Sequence, residues 1–234
     1  MAEKIALVAG AGRGTGGSVV RRFAAGGYRV AMLARSESRL REYEAAIPGT
    51  LAVPCDITDR EALADAVERV RRTLGDDPHV VVHNAARGSW GSFLDMDPAD
   101  MQANFEVNAM SLLHLAQLTA PAMIARGEGA LMVTGNTSTW RGIPRFSGFA
   151  PTKAAQRILA ESMARELGPK GVHVAYIVID AVIDLRWTRR RYPGRPDEFF
   201  IKPDAIGEEV FRVAHQDRSA WSFNVEIRPF GEPW

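Results

Sequence analysis

The stretch IALVAGAGRGTGGSVV, residues 5–20, decides how the chain is read. Five apolar residues run into Gly10, Gly12, Gly14 and Gly16, and a helical pattern begins near Gly17. A short apolar run, closely spaced glycines and then a helical pattern are the sequence form of strand, tight turn and helix. Glycines let such a turn bend sharply and bring backbone N–H groups against a pyrophosphate. The helix that follows adds unpaired N–H groups and the positive end of its dipole. Arg13 and Thr15, inside the turn, are candidates for the same ligand. A glycine-rich turn alone is weak evidence, because any strand-to-helix turn can need one. Here the flanking strand and helix supply the context that the motif requires.

The next strand sharpens the ligand. RVAMLARSESRL, residues 29–40, ends in Ala34 and Arg35. A site for NAD carries an acidic residue at that strand end to accept from the ribose 2′-OH. Ala34 has no carboxylate, and a guanidinium at Arg35 suits a 2′-phosphate through its planar fork. The expected cofactor is therefore NADP(H) rather than NAD(H), with Arg13 a second partner; the plainer alternative is that Arg35 only solvates a helix start.

Further along, apolar runs at 5–9, 29–34, 51–55, 80–83, 130–134, 172–179 and 223–227 alternate with helical patterns at 17–26, 38–46, 59–74, 101–126, 152–167 and 204–215. Near-continuous apolar strands separated by helices predict right-handed crossovers, strands covered on both faces and a parallel sheet. The expected fold is α/β: one Rossmann-type doubly wound parallel sheet of about seven strands with helices on both faces, spanning residues 1–234. Residues 184–203 (DLRWTRRRYPGRPDEFFIKP) break the pattern, with two prolines, three consecutive arginines and weak periodicity. They read as a long lid-like loop over the substrate or, equally well, as a solvated basic surface loop.

Composition excludes several classes of function. Apolar residues at 46% and charged residues at 24% are those of a soluble globular chain. With 29 basic against 28 acidic side chains, there is no electrostatic case for nucleic acid or an anionic membrane. The start of the chain reads as a strand rather than a signal peptide, and no apolar run predicts a membrane span. A lone Cys55 fits a reducing, cytoplasmic setting and a buried packing role. No cluster of His, Cys and Asp has the spacing of a metal site.

The spaced motifs together resemble the short-chain dehydrogenase/reductase family over nearly the whole chain. GAGRGTG (10–16) matches its glycine turn, with Gly12 where a serine is common. CDITD (55–59) resembles the segment in which Asp56 contacts adenine and Ile57 packs beside it. HNAA (83–86) resembles the segment closing the fourth strand; Asn84 and Ala85 match, His83 and Ala86 do not. Asn108, in FEVNAMSLLHLAQ, falls on the asparagine that supports a catalytic water relay. The resemblance also implies a cofactor contact at Ile183. Lys153, in FAPTK, matches the lysine of the Tyr-x-x-x-Lys pair, which implies both a catalytic role and a hold on the nicotinamide ribose. Four residues before it, where the tyrosine belongs, stands Phe149. Asn136 stands where the catalytic serine falls, and Ile179 and Asp180 replace a Pro-Gly turn. The chain is identified as similar to a subgroup that lacks the tyrosine.

The resemblance makes Asn108, Asn136 and Lys153 the candidate catalytic residues. Phenylalanine has no proton to transfer, and loss of a general acid costs about 10²–10⁴ in rate. Asn136 can still donate to an oxyanion through its amide. Replacement proton donors are Tyr176, Tyr192, Asp180, Asp184, Ser138 and Thr139, each also readable as structural or solvated; His114 and His173 read as packed or surface residues. Three functions compete: an NADP(H)-dependent oxidoreductase with a non-standard active site, a non-redox isomerase or lyase, and a silent NADP(H)-binding regulatory module. Bulky residues at 90–93 and 140–146 favour a small apolar or aromatic substrate. The resemblance further implies a homodimer or homotetramer joined through helices 101–126 and 152–167.

Overall fold

The computed structural model describes residues 3–232. From the N-terminus, β1 (Ile5–Ala9) leads to α1 (Thr15–Ala25), β2 (Arg29–Ala34), α2 (Glu37–Ala46) and β3 (Thr50–Pro54). Next come α3 (Arg60–Leu74), β4 (Val80–His83), α4 (Pro98–Phe105), a π-helical turn (Glu106–Met110) and α5 (Ser111–Arg126). The second half holds β5 (Gly129–Gly135), a 3₁₀ turn (Thr137–Thr139), α6 (Ala150–Leu167), β6 (Val172–Ile179), β7 (Val182–Ile183), α7 (Arg186–Arg191), β8 (Phe200–Ile201), α8 (Pro203–Ala214) and β9 (Asn224–Ile227).

Seven strands form one parallel sheet, as the alternation of strand and helix patterns predicts, and their order is β3-β2-β1-β4-β5-β6-β9. Each residue of β1, β4 and β6 is buried, because helices cover both faces. Alternation along β1 divides the core: Ile5, Leu7 and Ala9 pack toward α3, α5 and α6, while Ala6 and Val8 pack toward α1 and α8. The order reverses direction at β1 and β4, so a crevice opens beyond their carboxyl ends.

Local signals set the helix limits. Asp59 Oδ1 accepts from the N–H groups of Glu61 and Ala62, both at 3.0 Å, and starts α3. Asp97 caps α4 through the N–H of Ala99, with Pro98 in the first turn where a missing N–H costs nothing.

Two expectations need correction. The helix expected over 101–126 begins at Pro98 and is interrupted by the π-helical turn. The extra residue in that turn aims Asn108 into the protein, where its amide bonds both the N–H and the C=O of Arg87. The run Pro98–Arg126 is long and apolar enough to cross a membrane, with mean hydropathy 1.2. Leu112, Leu115, Ala116 and Met123 from it lie in the core, which accounts for the apolarity.

The loop expected over 184–203 carries structure. It holds α7 and, with β7 and β8, a two-stranded parallel ladder. Side chains order it rather than an amphipathic period: the Thr188 hydroxyl lies 2.5 Å from the Ile183 carbonyl, and Arg189 grips Asp184 at 2.6 and 2.8 Å and Asp197 at 2.7 Å. Its guanidinium also sits 4.0 Å over the Phe200 ring.

Candidate active site

A cleft of about 900 Å³ occupies the crevice between β1 and β4 and is lined by Gly10, Gly12, Arg35, Asp56, Ile57, Asn84 and Ala85. Backbone packing builds its floor. Gly10 has φ +92°, and a Cβ there would lie 2.5 Å from the Ala85 nitrogen. A Cβ on Gly16 would lie 2.1 Å from the Gly10 carbonyl oxygen, so the turn closes only on glycine. Gly12 has open space beside it. At the start of α1 no side chain caps the helix, and the buried Thr15 hydroxyl has no hydrogen-bond partner. Uncapped N–H groups, an orphaned hydroxyl and space at Gly12 together fit the pyrophosphate of a dinucleotide.

At the far end of the cleft, Arg35 stands with Ser36 and Arg39. Sequence reasoning passed over Arg39, although it lies one helical turn after Arg35. Its Nε is buried without a partner, as expected of a group that meets an anion. Asp56 accepts from the N–H and hydroxyl of Thr58 at 3.0 and 2.8 Å, and the N–H bond foremost holds its carboxyl below the usual range. Asn84 is a tie between strands: its amide donates to the Gly10 carbonyl at 2.9 Å and accepts from Thr134 at 2.9 Å. Arg13 and Gly14 do not line this cleft. They border a second pocket of about 650 Å³ with Arg186, Trp187 and Arg190, and Arg13 pairs with Glu42 at 3.3 Å.

The catalytic candidates gather behind the other end, off the lining of the cleft. Asn108 Nδ2 also donates to the Thr152 hydroxyl at 2.8 Å, which ties the π-helical turn to α6. Asn136 Oδ1 accepts from the Ser138 N–H at 3.1 Å. Lys153 is 2% exposed and donates to the Thr134 carbonyl at 3.2 Å and to Gln156 Oε1. No carboxylate compensates this burial, which pushes the Lys153 amine down to about 7. Ile183 pairs with Ile201 in the β7–β8 ladder, outside the cleft lining.

Of the replacement proton donors, Tyr176, Asp180, Asp184 and Thr139 are committed to other partners. Tyr176 is buried and donates to Gln156 at 3.0 Å, and burial drives its phenol above the ordinary value. Asp180 pairs with Arg228 at 3.4 Å and Asp184 with Arg189, which removes the motive for a non-redox acid–base site. Ser138 and Thr139 are buried, and the Thr139 hydroxyl donates to the Lys153 carbonyl at 3.1 Å. Tyr192 packs beside Phe199 with ring centroids 5.8 Å apart. His173 stacks on Trp221 at 4.8 Å, and His114 is half-buried.

Phe149 starts α6 and belongs to an aromatic group, its ring 5.7 Å from Trp90 and 6.4 Å from Phe146. Phe93 and Leu94, close in sequence to Trp90, and Trp140 and Ile143, close to Phe146, are exposed. Among the described residues no group of His, Cys, Asp and Glu could hold a metal ion.

Residues 4–183 match the short chain dehydrogenase family. The chain belongs to that family. The L-xylulose reductase of Bos taurus is 32% identical over 175 residues, covering 74% of this chain and 70% of the relative. Carbonyl reductase (NADPH) 2 of Sus scrofa is 32% identical over 228 residues, covering 92% and 90%. Among solved structures, a metagenomic short-chain oxidoreductase in complex with NADP has a TM-score of 0.83 at 28% identity, covering 97% of each chain.

In this chain Gly10, Gly12, Arg35, Asp56, Ile57, Asn84 and Ala85 line one cleft, while Arg13 and Gly14 border the second pocket. Two buried residues escaped notice: His83, read only as a mismatch, and Gln156, one turn beyond Lys153. Neither leaves a pattern in a single sequence, because their partners lie 73 positions apart.

Proposed function

We propose that the protein is an NADP(H)-dependent oxidoreductase acting on a small apolar or aromatic carbonyl or activated alkene, with a non-standard active site. The observation that carries this reading is Arg39 Nε, buried and unpartnered beside Arg35 where a 2′-phosphate would sit. The porcine relative named for NADPH and the metagenomic structure holding NADP support it.

When bound, the dinucleotide supplies the hydride. Arg35 and Arg39 hold the 2′-phosphate by charge-assisted bonds, and the Thr15 hydroxyl with the start of α1 holds the pyrophosphate. Asp56 and Ile57 border the adenine, and Lys153 reaches the nicotinamide ribose. Asn136 keeps Nδ2 available to donate to the oxygen on which charge develops. Phe149 excludes water and packs on an apolar ring, yet offers no proton there. A substrate whose oxygen needs immediate protonation therefore reacts slowly, by about 10²–10⁴ relative to a centre with tyrosine.

The segment 184–203 serves as the lid. A buried, unpaired Cys55 supports a cytoplasmic setting, and apolar Met110 and Ile158 exposed near α5 and on α6 support a homo-oligomer through those helices. The test is a panel of carbonyls and activated alkenes with purified protein. NADPH oxidation above buffer with at least one compound is expected. No turnover by the protein or by Phe149→Tyr would overturn the reading.

A further inference from the structure

Behind Lys153 lies a chain of buried polar side chains drawn from four elements. Gln156 Oε1 accepts from Lys153 Nζ and, at 3.0 Å, from the Tyr176 hydroxyl. With its carbonyl end so engaged, Gln156 turns its amide nitrogen toward His83 Nδ1 at 3.2 Å. An amide nitrogen only donates, so His83 Nδ1 accepts and the ring proton sits on Nε2. His83 Nε2 then donates to the Ser111 hydroxyl at 2.8 Å, and that hydroxyl donates to the Val107 carbonyl at 2.6 Å. Lys153, Gln156, His83 and Tyr176 are all at most 2% exposed. The chain ends on the π-helical turn whose Val107 lines the dinucleotide cleft.

Counting donors gives the chain a function. An ammonium has three N–H donors, of which two go to the Thr134 carbonyl and Gln156 Oε1. One remains for a ligand. A neutral amine has two, and both are committed. We propose that Gln156 is the positioning residue of Lys153: braced by His83 and Tyr176, it holds the amine so that only the ammonium form keeps an N–H free for the ribose of a bound dinucleotide. This rests on the dinucleotide reading above.

The groups facing the amine define its titration. His83 comes from β4 and Tyr176 from β6; the 3₁₀ turn brings the hydroxyls of Ser138 and Thr139. The nearest elements also carry Glu106 on the π-helical turn, Asp100 on α4 paired with Arg87, and His114 on α5. Arg157 and Glu161, further along α6, pair with each other. None makes an ion pair with Lys153, and burial alone lowers the amine to about 7. His83, pushed down to about 3 by burial first and by Lys153 second, is neutral throughout that range.

The experiment measures NADPH affinity by fluorescence titration from pH 6.5 to 9. In the unmodified protein, affinity should fall about tenfold per pH unit once the amine loses its proton. Gln156→Glu places a carboxylate against the amine and should move the fall upward by about one pH unit or more. Tyr176→Phe, which removes only a competing donor to Oε1, should move it upward by less, and covers the case in which Gln156→Glu does not fold. Lys153→Met should bind more weakly and abolish the fall. A residue that merely filled space would leave the midpoint in place. If NADPH binds but the midpoint is unmoved in Gln156→Glu and Tyr176→Phe, or the fall persists in Lys153→Met, the proposal is wrong while the dinucleotide reading stands. If NADPH binds at no pH, both are wrong.

Discussion

The two ends of the crevice are built from different materials. The dinucleotide end has a backbone floor: the turn at Gly10 and Gly16 closes against carbonyl and amide groups, with Arg35, Arg39 and Asp56 beyond it. The end with the candidate catalytic residues is made of side chains held by hydrogen bonds: Asn108 to the Arg87 backbone and the Thr152 hydroxyl, Asn136 to the Ser138 N–H, Lys153 to the Thr134 carbonyl and the Gln156 side chain. Backbone geometry is hard to alter without losing the fold. A side chain such as Phe149 at the start of α6 could change identity while its helix stays in place. On the proposed reading, binding and chemistry are separable here.

That separation can be broken by perturbing each end. The largest effect is expected from Gly16→Val, whose Cβ would meet the Gly10 carbonyl at 2.1 Å. It should destabilise the protein by about 3 kcal/mol or more and abolish NADPH binding, seen by urea denaturation and titration. At the other end, buried His83 gains its proton far more readily unfolded than folded. Its folded value is lowered, so the unfolded chain binds more protons between about pH 3 and 6.5, and stability rises with pH through that window. From pH 4 to 6.5 the His83 contribution is on the order of 3 kcal/mol, and the rise in the urea midpoint should shrink in His83→Gln.

Smaller changes sharpen the contrast. Arg39→Ser should weaken NADPH by about 1.5–3 kcal/mol, the strength of a hydrogen bond to a charged group, and leave NADH binding unchanged. Parallel titrations with the two cofactors check it. Asp59→Ala, which removes the cap of α3, should cost about 1 kcal/mol of stability and leave cofactor affinity and turnover alone.

How far each region was legible in the sequence follows the same division. The alternation of strands with helices and the glycine turn depend on neighbours close in sequence, and those signals were readable. Arg35 stood at a strand end with a defined task. Residues 184–203 read as a loop because Thr188 and Arg189 order them through bonds to carbonyls and carboxylates, which leave no hydrophobic period. The π-helical turn was missed because its cause, the inward bonds of Asn108, reaches Arg87, 21 residues earlier. His83 and Gln156 joined Lys153 only once β4, β6 and α6 were side by side.

The central claim is that the dinucleotide site is intact while the proton-transfer position is altered. It is tested most directly by comparing the protein with Phe149→Tyr/Asn136→Ser for NADPH affinity and for turnover of one carbonyl at pH 7. NADPH dissociation constants equal within about twofold, with turnover raised about 10²-fold or more in the double variant, are the predicted result. Equal turnover in both, or an affinity for NADPH that appears only in the variant, would contradict it.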